Sequence, residues 1–213
     1  MIYEHEREER KAPRVQPAPE NISMPDLDPK HWITMTRYLD SRGLDFRLAV
    51  ENGWYPSTEA GDTSPRVVIP CHPHDLRFWQ ARALDASPKR YQSPHRDPAG
   101  AVVVVFPVHA PRGVVVLEGP MDALAAAELG FLGVALMGAT PSAARLRTVA
   151  RIIRRSPPRV IVIPDTDAVN EARNTRLRLA ILAEHVIELV IPPEGRKDLG
   201  ECSRAERRKL LGL

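Results

Sequence analysis

The sequence predicts an α/β protein: a parallel sheet covered by helices, preceded by a smaller N-terminal α+β subdomain. Three observations predict it. From residue 113 onward, short β-branched apolar runs alternate with helical patterns, which is how parallel βα units read. Upstream, 66–70 and 77–84 look like two strands joined by a short Pro/His/Asp turn. Finally, two of the later apolar runs stop at carboxylates, 114–117 at Glu118 and 160–164 at Asp165.

The elements follow in order. Residues 1–29 combine a charge run from Glu4 to Lys11 with prolines at 13, 17, 19, 25 and 29, and read as a flexible arm with little core of its own. Residues 29–50 are helical in two pieces, the first with Met35, Tyr38 and Leu39 on one face and ended by Arg42-Gly43, the second stopped by Asn52-Gly53. In the run 77–84, period-2 alternation puts Phe78, Gln80, Arg82 and Leu84 on one face. Residues 85–101 are a polar, proline-rich loop and 102–106 are β-like, which closes a subdomain over 30–112. Strand 114–117 then enters an Ala-rich helix, 121–129, that stops at Gly130. A short strand at 133–136 precedes an amphipathic helix over 142–155, with Leu146, Val149, Ala150 and Ile153 inward. Pro157-Pro158 ends it. Strand 159–163, helix 170–184, strand 186–191 and a loop over 192–201 complete a domain spanning 113–201. A basic helix within 202–213, with Ser203 as N-cap, ends the chain.

Composition narrows the class. The chain has 213 residues, 43% hydrophobic and 27% charged, which is globular. Its two cysteines rule out a disulfide framework or a multi-cysteine zinc ribbon, and no zinc is expected at Cys71, His72 and His74. No apolar run approaches a membrane span, and the charged N-terminus lacks the apolar core of a secretion signal, so a cytoplasmic protein is expected. The net charge of +3 permits a polyanionic partner. Arg147, Arg151 and Arg154 share one helix face, as a polyanion-binding ridge or as a solvated face. Phe78 and Trp79 are expected in the core, and Tyr91 is an aromatic on which a base can stack.

The acidic strand ends carry the chemistry. A carboxylate at the carboxyl edge of a parallel strand stands where open α/β sheets place their ligands. Glu118, Asp165 and Asp167 in one crevice repel one another unless a divalent cation neutralises them. Gly119-Pro120 suits a tight turn into a helix, and Asp122 lies near that helix start, facing the same crevice.

On these motifs, 113–201 resembles a TOPRIM domain, whose hallmarks are a strand-end Glu followed by Gly and a strand-end Asp-x-Asp. Glu118-Gly-Pro-Met-Asp122-Ala-Leu124 is similar to bacterial and phage primases, and Gly195-Arg-Lys-Asp198-Leu-Gly-Glu201 to phage primase-helicases. Upstream, Tyr38-Leu-Asp-Ser-Arg-Gly-Leu44, 66–70, 79–84 and 87–94 resemble the small subdomain of the primase polymerase core, so the likeness covers about 32–201. The resemblance implies metal ligands among Asp165, Asp167 and Asp198, with Glu118 as ligand or general base and Asp122 in support. It implies phosphate or template contacts from Arg82 and from Lys89, or from Arg90 if one gap is allowed. Asp165-Thr166-Asp167-Ala168-Val169 departs from the family's Asp-Gly-Asp followed by Ala-Gly. The implied activity is Mg²⁺- or Mn²⁺-dependent synthesis of short RNA primers from NTPs on single-stranded DNA, in a phage or mobile-element setting. A replicative helicase or a zinc-ribbon partner chain would supply the remaining parts. A TOPRIM nuclease and a non-catalytic accessory that binds single-stranded nucleic acid or helicase are the alternatives.

Overall fold

The computed structural model describes residues 23–59, 64–72, 78–94 and 100–213. Residues 1–22 of the arm predicted over 1–29, and His74 and Arg77, lie outside the described residues. Two helices, α1 (Trp32–Ser41) and α2 (Phe46–Glu51), lead into an antiparallel sheet of β1 (Tyr55–Ser57), β2 (Arg66–Pro70), β3 (Trp79–Ala83) and β4 (Tyr91–Gln92), in that order. Asp45 caps α2 by accepting from the backbone N–H of Arg47 and Leu48. Residues 23–29 correct the expectation of an arm without core: Trp79 Nε1 donates to Ser23 O (3.1 Å), Tyr55 OH donates to Pro25 O (2.8 Å), and Met24 packs on Val68 and Trp79.

The second sheet holds β5 (Val103–Val105), β6 (Val114–Leu117), β7 (Leu132–Ala135), β8 (Val160–Val162) and β9 (Glu188–Leu189), in the order β5-β7-β6-β8-β9. β6 to β9 are mutually parallel, and β5 is an antiparallel edge strand on β7. The helix α3 (Pro120–Ala127) covers one face together with α1 and α2, while α4 (Ala143–Ile153) and α5 (Val169–Ala183) cover the other. Every residue of β6 is buried, with Val115 and Leu117 packed on the α3 side and Val114 and Val116 on the α4 side. That two-sided burial explains why its sequence is a continuous apolar run instead of an alternating one.

The order reversal matters for function. The chain steps from β6 to β7 on one side, then returns to β8 on the other. The carboxyl edges of β6 and β8 therefore flank a topological switch point, the place where open α/β sheets form a crevice. The helix α6 (Arg204–Leu210) closes the chain with a full capping box between Ser203 and Glu206. Its Arg207 is buried and donates to the carbonyls of Leu199, Gly200, Arg42 and Gly43, tying the loop before α6 to the turn after α1.

Candidate active site

A cleft of about 710 Å³ lies between the two sheets. Glu118, Asp122, Asp165 and Asp198 line one wall, and Arg42, Arg82 and Arg90 line the other. Glu118 directly follows β6. Asp122 sits in the first turn of α3, where the helix dipole favours a negative charge. It is only 6% exposed, and its Oδ1 accepts from Gly200 N at 2.7 Å. Two glycines make room for it. A Cβ on Gly119 would stand 2.8 Å from Asp122 Oδ2, and one on Gly200 would stand 2.9 Å from Oδ1. The Gly-Pro and Leu-Gly pairs of the two motifs thus meet at a single carboxylate.

Oxygens of Asp122, Asp165 and Asp198 lie within 4.8 Å of one another. Burial and crowding raise the proton affinity of Asp122 and Asp165. Burial, and next Asp198, pushes Asp122 up to about 8. Burial and then Asp198 raise Asp165, and burial followed by Asp165 and Asp167 raises Glu118. Lys197 offsets part of this charge, with Nζ 3.6 Å from Asp165 Oδ2 and 3.1 Å from Asp167 Oδ2. Its loop is held in place: Thr166 N donates to Lys197 O (2.8 Å), and Glu201 N donates to Asp198 Oδ1 (2.8 Å). The donor set suits a hard divalent cation, which takes carboxylate oxygens and needs only one or two per ion beside its waters.

The facing wall is built on β3, where Trp79, Ala81 and Ala83 point into the protein and Gln80 and Arg82 point toward the cleft. The Arg82 guanidinium lies 4.8 Å from the Tyr91 ring centre and 5.9 Å from that of Tyr38, and Arg42 sits 5.9 Å from the same Tyr38 ring. Cations stacked on aromatic faces keep their charge while losing conformational freedom. Buried Arg66 donates to Lys89 O (3.0 Å) and Ser87 Oγ (3.4 Å), fixing the turn before β4. As a result Arg90 lines the cleft, whereas the Lys89 side chain is exposed and does not.

Of the acids read from sequence, Glu118, Asp122, Asp165 and Asp198 come together. Asp167 stays 67% exposed on the far side of Lys197, outside the three-carboxylate group. Arg147, Arg151 and Arg154 share an exposed face of α4 and do not line the cleft, and Arg154 Nη1 donates to Leu182 O at 2.7 Å. Sequence reasoning passed over Arg42, Lys197 and Gly200 as individual site residues, although all three stand inside quoted motifs. It also passed over Met137, which takes a left-handed φ of 57° at the cleft and donates its N–H to Glu118 O.

A Toprim-like family matches residues 115–202. No curated protein matches the chain. Among solved structures the chain is similar to a DnaG primase catalytic domain bound to single-stranded DNA, with a TM-score of 0.60 at 16% identity, over 84% of this chain and 69% of that one. It is similar to the primase fragment of the bacteriophage T7 primase-helicase, with a TM-score of 0.56 at 18% identity, over 82% and 71%. It also resembles the Aquifex aeolicus primase (zinc-binding and RNA polymerase domains), with a TM-score of 0.58 at 19% identity, over 83% of this chain and 55% of that one. At such identities the likeness is one of fold. Residues 115–202 are a Toprim-like domain, and the described chain has the fold of a primase catalytic domain.

Proposed function

We propose that the chain is a primase-type nucleotidyltransferase that joins ribonucleotides into short primers on single-stranded DNA. The observation that carries this is the cleft itself: clustered carboxylates on one wall and stacked guanidiniums on the other, at the switch point of the sheet. Phosphoryl transfer needs both, because charge on the phosphates must be held and neutralised while the attacking oxygen loses its proton.

In this reading Asp122, Asp165 and Asp198 hold a divalent cation, Mg²⁺ or Mn²⁺. When bound, the cation supplies Lewis-acid neutralisation of phosphate charge. Glu118 lies beside the three acids with a raised proton affinity, which suits it to take the proton of an attacking hydroxyl. Arg82 and Arg90 hold triphosphate oxygens: Arg82 is pre-oriented by Tyr38 and Tyr91, so little order is lost when it binds. Lys197 holds Asp165 and Asp167 in place. Templates and NTPs are the substrates, and a helicase or zinc-ribbon chain supplies template selection.

The test is dinucleotide synthesis on a single-stranded template with NTPs and Mn²⁺. Product from the wild type and none from Glu118→Gln is expected. Absence of product even with a helicase or zinc-ribbon partner added would sink the proposal, and cleavage of labelled single-stranded DNA without NTPs would replace it with the nuclease reading.

A further inference from the structure

The face of β2 and β3 that carries Arg82 is apolar almost throughout. Val67, Ile69, Phe78 and Leu84 on it are buried in the main core. Gln80 breaks the pattern. It pairs with Ile69, as Arg82 pairs with Val67, so it stands two residues from Arg82 on the same face. The side chain is half-buried and lines the cleft. Its Oε1 is buried and has no hydrogen-bond partner among the described residues. A buried oxygen left unpaired is a cost that a leucine or methionine at this position would avoid. Packing therefore does not account for an amide here. No hydrogen bond to Oε1 holds the amide against turning toward a bound molecule.

What the amide would meet follows from the chemistry of a nucleotide. Phosphates only accept hydrogen bonds and carry negative charge, so they suit Arg82 and Arg90 and repel an amide oxygen. The bases present different donor and acceptor edges, and a template-directed enzyme must admit them all, so one fixed amide cannot serve them alike. A ribose hydroxyl is common to every NTP, and it both donates and accepts. It can bond to either end of an amide, and half a turn of the amide exchanges the two ends without a change of shape. The spacing fits as well. Alternate residues of a strand lie about 7 Å apart, a step comparable with that from the phosphates of a nucleotide to its ribose hydroxyls.

We propose that Gln80 is a specificity residue that selects ribonucleotides over deoxyribonucleotides by bonding the 2′-hydroxyl. The proposal rests on the nucleotidyltransferase reading of the cleft. Arg82 and Arg90 hold the phosphates, and Gln80, one step along β3 from Arg82, reads the sugar. A bound ribonucleotide gives the orphaned amide a partner. A deoxyribonucleotide leaves it unpaired.

Isothermal titration calorimetry of the full chain with Mn²⁺ and each NTP or dNTP tests it, beside dinucleotide synthesis from the same nucleotides. The wild type is expected to bind every NTP about tenfold or more tightly than the matching dNTP, the effect of one hydroxyl bond. Gln80→Leu should bind NTPs about tenfold more weakly and dNTPs within about twofold of the wild type, with a Tm no lower because the unpaired oxygen is gone. Gln80→Asn keeps the amide but draws it back by one carbon, and should lose the same preference. Three results would overturn the role of Gln80 while dinucleotide still forms: a wild type that binds NTPs and dNTPs alike, a preference confined to one base, or a Gln80→Leu variant that keeps the preference or weakens both nucleotides equally. A ribose preference lost in Gln80→Leu, with no dinucleotide made by the wild type, would keep Gln80 as the sugar contact and remove primer synthesis. A folded wild type that binds no nucleotide would remove both.

Discussion

Replacing Asp122 by Asn isolates the most strained charge in the cleft. In the folded, metal-free chain its carboxyl is pushed up to about 8, chiefly by burial and next by Asp198, from an ordinary 3.8. Between those values the folded chain keeps a proton that the unfolded chain has released. Folding then takes up a proton, so the contribution is fully favourable below the unfolded value and is lost as pH rises through the folded one, at up to about 1.4 kcal/mol per pH unit. Summed over the window this is on the order of several kcal/mol. Asn has the same shape, carries no titrating proton, and its Oδ1 can still accept from Gly200 N. The metal-free variant should therefore lose the part of this pH dependence that belongs to Asp122, keeping what Asp165 and Glu118 contribute, and be more stable than the wild type at pH 8 and above. Divalent metal should reverse the order. At a concentration about 100-fold above Kd it adds about 2.7 kcal/mol to the wild type, a Tm gain of about 5–10 °C, and the gain should shrink as pH falls below 8 because the cation must displace the proton. The Asp122→Asn variant should gain little. Thermal unfolding at several pH values, with and without Mn²⁺, reads all of this. A wild type whose metal-free stability rises from pH 5 to 8, or an Asp122→Asn variant with the full metal-dependent gain, would refute the reasoning.

Gly119→Ala and Gly200→Ala each place a methyl carbon within 2.9 Å of an Asp122 oxygen, and each should cost about 1–3 kcal/mol and weaken metal binding, as read by unfolding with and without Mn²⁺. Arg207→Ala leaves four backbone carbonyls and Glu128 without their buried donor, and urea unfolding should show a loss of about 3–5 kcal/mol. Arg82→Lys keeps the charge but loses the planar group stacked on Tyr91. It should lower kcat/KM for dinucleotide synthesis by about tenfold or more, and a rate equal to the wild type would remove Arg82 from the phosphate site. The double variant Arg147→Ala/Arg151→Ala, away from the cleft, should leave dinucleotide synthesis within about twofold, whereas a tenfold loss would bring α4 into the catalytic surface.

How far the site was legible depends on whether local spacing or distant contact sets a residue's place. Glu118 and Asp165 were readable because buried parallel strands are continuous apolar runs, and the first carboxylate after such a run must stand at the sheet edge. The helical face of Arg147, Arg151 and Arg154 was readable for the same reason, but periodicity says nothing about which end of a sheet that face overlooks. β1 and β4 were missed because they are three and two residues long, one of them containing Pro56, and a run that short has no period. β5 is read correctly as a strand, yet its pairing with β7 across some thirty residues is non-local, so the sheet it joins is invisible in its own sequence.

Asp167 and Asp122 show the limit most clearly. Asp165 and Asp167 were expected together in one crevice with Glu118, but β8 ends at Val162, so no strand pleat governs the chain when it reaches them. Asp167 accordingly turns outward to Lys197. Asp122, expected only to support Glu118, stands in the three-carboxylate group instead. What puts it there is the absence of side chains at Gly119 and Gly200, one neighbouring and one 78 residues downstream. Its position is therefore a joint property of the Glu-Gly and Lys-Asp-Leu-Gly motifs. Adding a methyl at Gly200 should for that reason mimic removal of the Asp122 carboxylate in metal binding, though Gly200 itself carries no ligand atom.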